Sequence, residues 1–234
     1  MAFAQSGVSL DVLRTEANQG NAEAQMNLGV VYYLGQGVTQ DFDESAKWMR
    51  KAAEQDNAAA QNNLGTMYES GQGVPKDYEQ AVKWFRKAAE QKHALAQYNL
   101  AAMYDEGHGV KQDDGEAVKW YRKSAEQGYA AAQSYLGAKY VSGKGVSENS
   151  GEAARWFRRA ANQGYAKAQF SLGLLYEVDP GQDYVEACKW FNLAAAQGYG
   201  SAAEERNSIV KLMTASQVAE AKNRARLFVP HKEM

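Results

Sequence analysis

The residue types that most often carry out catalysis or bind metals are few and scattered in this sequence. His93 and His108 are isolated from one another, and His231 lies in a predicted tail. No group of His, Cys, Asp and Glu has the spacing of metal ligands, and the serines, histidines and acids form no recognisable triad. The sequence therefore predicts no catalytic residue, no metal site and no cofactor, and we expect a protein that is not an enzyme.

The one cysteine, Cys188, has no second cysteine with which to form an internal disulfide, so cysteine usage leaves the cellular compartment open. Cys188 takes the place that Val82, Val118 and Ala154 occupy in earlier parts of the chain. That position predicts a buried, small apolar side chain rather than a nucleophile.

Four Gly-x-Gly pairs could, taken singly, suggest loops that hold phosphate groups. A nucleotide-binding loop follows a strand and opens a helix, whereas these pairs follow predicted helices and recur along the chain. We interpret them as C-terminal helix caps, because glycine reaches the left-handed conformation at little steric cost. The pairs are Gly35 and Gly37, Gly71 and Gly73, Gly107 and Gly109, and Gly143 and Gly145.

Basic residues recur in the pattern of Lys47, Arg50 and Lys51, with equivalents 36, 72 and 108 residues further on. Such a ridge could bind nucleic acid or lipid. The alternative is a solvent-exposed face, because a helix dipole favours cations near its C-terminus and glutamates such as Glu54 lie close by. We favour this second interpretation, and the net charge of −2 leads us to expect no nucleic-acid partner.

The composition of the 234 residues allows a substantial core, since 45% of them are hydrophobic. A mean hydropathy of −0.60 and the lack of a long apolar run argue against membrane insertion. Ala2-Phe3-Ala4-Gln5 resembles the end of a bacterial export signal, although the charged and apolar regions of such a signal are absent. We expect residues 1–8 to be a disordered tail or a signal remnant, and the protein to be periplasmic or otherwise exported, with the cytoplasm as the alternative.

A 36-residue repeat dominates the sequence. Glutamine, leucine, tyrosine and tryptophan each recur at this step, except that the last tryptophan step is 34 residues. Chance does not place four residue types in one register, so we predict about five repeats. The recurring residues are Gln25, Gln61, Gln97, Gln133 and Gln169; Leu28, Leu64, Leu100, Leu136 and Leu172; Tyr32, Tyr68, Tyr104, Tyr140 and Tyr176; and Trp48, Trp84, Trp120, Trp156 and Trp190.

Each repeat divides into two predicted helices. Gln25, Leu28, Gly29 and Tyr32 share one face of a first helix, since they fall at i, i+3, i+4 and i+7. Glycine inside a helix costs roughly 1 kcal/mol against alanine, so we predict that a neighbouring helix approaches too closely for a side chain. The second helix repeats the spacing with a tryptophan, such as Trp48, and small alanines, which suits tight packing.

The start of each second helix is predicted by an aspartate or asparagine with Glu or Gln three residues later. Asp41 with Glu44 is the first example, and the spacing favours a reciprocal capping box. The fifth repeat departs from the turn pattern, because Asp179-Pro180-Gly181 replaces the pair of glycines.

The predicted solenoid covers residues 9–213. Residues 9–20 are expected to form a lone second helix, and residues 214–234 a capping helix with a short tail, because terminal repeats must present a polar outer face. The full repeats are predicted near residues 21–56, 57–92, 93–128, 129–164 and 165–198.

The strings Ala-x-Ala-Gln-x-x-Leu-Gly-x-x-Tyr, Gly-x-Gly-Val and Ala-x-Lys-Trp-Phe-x-x-Ala-Ala resemble Sel1-like repeats, relatives of the tetratricopeptide repeats. Residues 22–34, 71–74 and 81–89 carry the match, which extends over roughly residues 10–213. The resemblance implies an all-α, right-handed superhelix of antiparallel helix pairs with the first helices on its concave side. It also implies an adaptor or scaffold role, often in bacteria. A cysteine-rich branch with a disulfide in each repeat has been linked to β-lactam binding or hydrolysis, but this sequence lacks those cysteines.

Specificity is expected at the variable positions of the first helices, because the recurring residues hold the repeats together. By the resemblance, these positions face the concave groove, although some of them could merely cover neighbouring helices. They combine apolar residues with acids, so we predict that the groove binds an extended or helical peptide with a basic residue. The predicted partner-binding residues are Met26, Tyr33, Asn62, Glu69, Tyr98, Asp105, Ser134, Val141, Phe170 and Glu177.

Two other functions stay open on the sequence alone. A hydrolase of cell-wall or β-lactam amides would follow the cysteine-rich relatives. A structural spacer in an envelope assembly would use the convex face or the ends of the solenoid instead of a groove. The sequence favours a monomeric adaptor that binds a protein or peptide partner.

Overall fold

The computed structural model describes residues 9–178 and 182–231. Within these residues the chain consists of α-helices joined by short turns, and no strand is present. The predicted all-α class built from paired helices is therefore confirmed. The predicted N-terminal tail, the Asp179-Pro180-Gly181 turn and the last three residues lie outside the described residues.

The chain folds as two compact units, which divide between Trp120 and Tyr121. Helix α7 (Asp114–Glu126) begins in the first unit and ends in the second. The first unit also contains α1 (Leu10–Asn18), α2 (Ala22–Leu34), α3 (Phe42–Glu54), α4 (Ala58–Ser70), α5 (Tyr78–Glu90) and α6 (Ala94–Glu106). The second unit continues with α8 (Ala130–Ser142), α9 (Ser150–Asn162), α10 (Ala166–Val178), α11 (Tyr184–Ala196), α12 (Ala202–Val210) and α13 (Ala215–Arg226).

The glycine inside a first helix faces a large side chain of the second helix that follows it. A β-carbon on these glycines would lie 2.6–3.0 Å from that side chain, at or below the closest distance that real β-carbons keep from their neighbours. The predicted packing reason for the glycines is confirmed at four repeats. The pairs are Gly29 with Met49 and Gly65 with Phe85 in the first unit, and Gly137 with Phe157 and Gly173 with Phe191 in the second.

The recurring glutamine joins successive helices through hydrogen bonds at both ends of its amide. Gln61 is buried, and its Nε2 donates to the carbonyl oxygen of Ala53 at 3.0 Å. Its Oε1 accepts from Gln91 Nε2 at 2.7 Å. A buried amide would be costly without such partners, so the glutamine is held in place by polar bonds as well as by burial. Equivalent bonds to an alanine eight residues earlier are made by Gln25, Gln97, Gln133 and Gln169.

The predicted N-terminal caps of the second helices are confirmed, while the reciprocal capping boxes are not general. The side chains of Asp41, Asp77, Asp113, Asn149 and Asp183 each accept from the backbone N–H three residues later. In α3 the carboxylate of Glu44 binds Lys47 instead of reaching back to the cap. An ammonium one turn later offers a charge-assisted bond, which competes with the exposed backbone N–H. The predicted box of Thr214 and Gln217 does form in α13.

The paired glycines end the first helices, as predicted. Gly71 caps α4 with φ +76°, and Gly73 follows with φ +69°, a left-handed conformation that side chains rarely adopt. A β-carbon on Gly73 would overlap the carbonyl oxygen of Phe42 at the start of α3. The second glycine of this turn is therefore required by a close approach to the preceding repeat as well as by its own backbone.

The cap that His93 provides to α6 predicts that the stability of the first unit falls in acid. Its Nδ1 accepts from the backbone N–H of Ala96 at 3.2 Å and caps α6, and burial lowers the pKa of His93. A protonated Nδ1 has no lone pair for this bond. Because the folded pKa is lowered, the unfolded chain binds the proton more readily, and stability is lost as pH falls below about 6.5.

We therefore expect His93→Asn to remove this acid sensitivity, since Asn21 and Asn57 cap α2 and α4 at the same position without titrating. The variant should match the wild type at neutral pH and exceed its stability below about pH 6 by about 1 kcal/mol, the usual contribution of an N-cap. Thermal unfolding at both pH values measures this difference. The same pH dependence in both proteins would contradict the role of His93.

The second unit closes with α13, which packs against α11. Ala221 is buried in this contact, and Trp190 meets Phe228 edge to face at 5.5 Å between ring centroids. Arg224 binds Glu186 at 2.7 Å. Burial alone would raise the pKa of Glu186, but the bonds from Arg224 and Lys189 outweigh it and lower that pKa. The polar C-terminal helix thus covers the last helix pair with an apolar strip and one charged contact.

Candidate functional site

A cavity of about 360 Å³ opens among the first helices of the first unit. Val30 and Tyr33 of α2 form one side, and Asn63 and Thr66 of α4 form the other. The remaining lining residues are Leu34, Met49, Asn62, Met67 and Leu95. Most of these side chains are apolar, so the cavity is suited to an apolar group.

Two large apolar side chains at this cavity are exposed to solvent. Leu34 is 48% exposed and Leu95 is 37% exposed. The sequence contains a signal for both leucines, because each differs from the residues at the equivalent position of other repeats. The equivalents of Leu34 are Ser70, Glu106 and Ser142, and Leu95 likewise differs from its equivalents. Both positions vary between repeats, but neither leucine is among the predicted partner-binding residues. Exposed leucines beside an open apolar cavity are a feature of surfaces that bind partners.

Polar groups lie at fixed places around the cavity. The Tyr33 hydroxyl donates to Gln72 Oε1 at 2.8 Å, which holds the tyrosine ring across the turn that follows α4. Asn62 Oδ1 accepts from Asn99 Nδ2 at 2.9 Å, so the floor of the cavity is tied to α6. These bonds leave the cavity with an ordered shape before any ligand enters.

Acidic residues lie on α4 and α6, C-terminal to the residues of these helices that line the cavity. Glu69 lies one turn after Thr66, and it is half-buried. Burial, and after it the nearby Glu106, raise the pKa of Glu69. A carboxylate that is both desolvated and repelled by a second carboxylate gains from a cation placed beside it. His108 and Lys76 act in the opposite direction, but the pKa of Glu69 remains raised, so a further positively charged group beside it would be favoured.

The structure brings together some of the predicted partner-binding residues of the first unit. Tyr33 and Asn62 line the cavity, although Asn62 is only 3% exposed and offers little area to a partner. Met26 packs against the core cluster that contains Leu64, so it covers neighbouring helices. Two further predicted residues, Tyr98 and Asp105, are both partly exposed on α6.

The predicted residues of the second unit do not share one environment. Ser134 is fully buried, so its hydroxyl cannot reach a partner. Phe170 packs on Phe191 and Tyr199, with ring centroids 5.7 and 5.1 Å away, so it belongs to the core side. Val141 is exposed. Burial, and then Glu205, raise the pKa of Glu177.

The basic residues of the second helices have structural partners, which supports their interpretation as an exposed face. The middle base of each group donates to the tyrosine hydroxyl 18 residues later, in the pairs Arg50 with Tyr68, Arg86 with Tyr104, Arg122 with Tyr140 and Arg158 with Tyr176. The last base of a group lies over the tryptophan, as Lys51 does over Trp48 at 4.0 Å. Both contacts use the aromatic residues of the repeat to fix the cationic side chains.

Cys188 is buried, and burial raises the pKa of its thiol, as expected of a residue packed in the core. Among the described residues, no group of three or more His, Cys, Asp and Glu could hold a metal ion. No described helix has the length and apolar character needed to cross a membrane.

A family model described as the Sel1 repeat matches five consecutive segments, residues 22–57, 58–93, 94–129, 130–165 and 166–199. The chain belongs to the Sel1 repeat family. Proteins built from Sel1 repeats are generally protein-interaction scaffolds and are typically not catalytic.

Two solved Sel1-repeat structures are similar to this chain. One is a protective antigen of uropathogenic Escherichia coli with an SLR fold, with 37% identity and a TM-score of 0.84 over 93% of this chain and 47% of that one. The Sel1 repeat chain thus spans about half the length of the antigen. The other is a Sel1 repeat protein from Oxalobacter formigenes, with 34% identity and a TM-score of 0.77 over 94% of this chain and 97% of that one. Among curated proteins, no sequence match is found.

Proposed function

We propose that this Sel1 repeat protein is an adaptor that binds a segment of a partner protein at the cavity of its first unit. The segment carries a large apolar side chain, which enters the cavity, and a lysine or arginine close to it, which pairs with Glu69. The observation that carries the proposal is the exposed pair Leu34 and Leu95 beside an open apolar cavity.

The size of the cavity supports a peptide side chain as its occupant. A volume of about 360 Å³ accepts one large apolar side chain with part of the adjoining backbone. Removing the exposed surface of Leu34 and Leu95 from water would favour binding, since apolar burial contributes about 25 cal/mol per Å². The amides and hydroxyls around the rim, such as Asn63 and Thr66, are suited to the main-chain groups of a peptide.

The charge near the cavity supports the basic residue. Glu69 is half-buried and has Glu106 as a neighbour, and both features disfavour its charged form in the free protein. A lysine or arginine of the partner would compensate that charge. An acidic segment would instead add repulsion, so the site should discriminate between them.

The first test is selection from a displayed peptide library, followed by affinity measurements on the selected sequences. We expect an enriched motif with an apolar residue close to a lysine or arginine. Leu95→Ser and Leu34→Ser should each weaken binding of selected peptides by about tenfold or more, a loss of about 1.4 kcal/mol. Glu69→Gln should weaken basic peptides while leaving peptides without the basic residue unchanged.

Val141→Ser is the matched control, because Val141 is an exposed apolar residue of the second unit. It should bind selected peptides like the wild type. Equal losses in Val141→Ser and Leu95→Ser would contradict the proposed site, as would a selection without any preferred motif. Phe170 and Met26 are unsuitable for this test, since both pack against their own core.

A further inference from the structure

Helix α9 of the second unit departs in charge from the other second helices. It carries Arg155, Arg158 and Arg159 against a single acid, Glu152. Its counterpart α3 carries three bases against three acids. Two substitutions explain the difference: Gly151 stands where α3 has Asp43, and Asn162 stands where the other basic helices end in Glu54, Glu90 and Glu126.

The type of base changes as well. The earlier repeats use lysine, arginine and lysine at these three positions, whereas α9 uses three arginines. A guanidinium presents several N–H donors in one plane and binds phosphate through two of them at once, which an ammonium cannot do in the same geometry. Because residues 155, 158 and 159 fall at i, i+3 and i+4, the three guanidinium groups lie on one face of the helix.

A concave site accompanies these arginines. Gly151, Ala154 and the three arginines line a cavity of about 470 Å³. Gly151 and Ala154 are small, so α9 leaves open space beside the guanidinium groups. A phosphate ion alone is much smaller than this cavity, and the volume therefore suits a phosphate group with an organic substituent.

The existing contacts restrict the movement of the three guanidinium groups. Arg158 donates one bond to the Tyr176 hydroxyl, and a guanidinium has five N–H groups. The guanidinium of Arg159 lies 5.0 Å from the centroid of the Trp156 ring, which restricts its movement. Arg155 meets Glu152 at 3.4 Å, an exposed pair of the kind that contributes little. Fixed donors reduce the entropy that a ligand must overcome.

We propose that α9 carries a second binding site, separate from the peptide cavity, for the phosphate group of a phosphorylated small molecule or lipid headgroup. Arg155 and Arg159 bind the phosphate oxygens, Arg158 is held beside them by Tyr176, and Gly151 leaves the space for the ligand.

The site is tested by titrating the full chain with inorganic phosphate and with glycerol 3-phosphate at constant ionic strength, following the arginine Nε–H resonances by NMR. We expect saturable shifts in α9 and tighter binding of the ester than of the inorganic ion. The double variant Arg155→Gln/Arg159→Gln should bind at least about tenfold more weakly.

Gly151→Glu separates binding from folding. It restores the acid that Glu79 provides in α5, and a β-carbon at this position meets only Asn149 Oδ1 at an ordinary 3.4 Å. An acid in the first turn favours the helix dipole, so the melting temperature should stay level or rise. Phosphate binding should nevertheless be lost, because the carboxylate occupies the cavity and neutralises an arginine.

The matched control is Lys47→Gln/Lys51→Gln on α3, at the positions equivalent to Arg155 and Arg159. This variant should bind glycerol 3-phosphate like the wild type. Vesicles of phosphatidylglycerol distinguish the source of the phosphate: binding to vesicles that Gly151→Glu abolishes indicates a lipid headgroup, and binding to the soluble ester alone indicates a small molecule. Unsaturable shifts, or equal losses in the α3 and α9 variants, would overturn the proposal.

Discussion

Replacing Gly73 with alanine is expected to destabilise the first unit by roughly 2–5 kcal/mol, the sum of left-handed backbone strain and an overlap with packed backbone. Gly73 has φ +69°, and a β-carbon there would overlap the carbonyl oxygen of Phe42. That oxygen belongs to the start of a helix and cannot rotate aside as a flexible side chain could. The turn would have to move away from the preceding repeat.

Gly37→Ala is the control for this substitution. Gly37 occupies the same place in the first repeat with φ +74°, and a β-carbon there would meet nothing within 4 Å. It should therefore cost only the backbone strain, about 1–2 kcal/mol. Urea denaturation followed by circular dichroism measures both values. Equal losses for the two variants would mean that the turn after α4 does not rest on α3.

Truncating Leu100 to alanine should cost about 2–5 kcal/mol, the usual range for a leucine removed from a packed core. Leu100 is fully buried in the first unit, on the face of α6 that also bears the buried Gln97. The bond of Gln97 to Ala89 helps to hold α6 against α5, and packed helices relax only partly around a missing side chain, so a cavity should remain.

Leu95 on the same helix provides the comparison. Its side chain is partly exposed at the peptide cavity, and Leu95→Ala should change stability by less than about 1 kcal/mol. Denaturation midpoints at constant slope compare the two variants. An unchanged midpoint for Leu100→Ala would show that Leu100 is not a core residue. Leucines one turn and a half apart on α6 thus have separate roles, one in stability and one in the proposed binding.

The side chains of the recurring residues already make hydrogen bonds and packing contacts within the fold. The glutamine amide both donates and accepts a hydrogen bond, and the tyrosine hydroxyl accepts one from an arginine. The glycine accommodates an aromatic ring or a methionine. Little of their surface or hydrogen-bonding capacity is left for a partner. Function in this chain is therefore expected at positions that differ between repeats, and both proposed sites consist of such departures.

Residues at equivalent positions of successive repeats, here called a column, do not share one environment. Met26, Asn62, Tyr98, Ser134 and Phe170 occupy one column, yet Ser134 is buried and Phe170 packs on aromatic neighbours. A column fixes where a residue stands on its helix, but burial depends on how large the neighbouring side chains are. Leu34 and Leu95 come from different columns and repeats, so their meeting at one cavity follows from packing between helices.

The sequence by itself determined the helix pairs, the caps and the family, because these depend on interactions within one or two turns or on a repeated register. Asp41 caps its helix through a bond to the backbone three residues later, and Gly71 ends one through its own left-handed backbone. Only the tertiary structure decided that Gly73 meets the carbonyl oxygen of Phe42, and that Leu34 and Leu95 share a cavity. These outcomes depend on how residues distant in the sequence pack in space, and a one-dimensional pattern does not contain those distances.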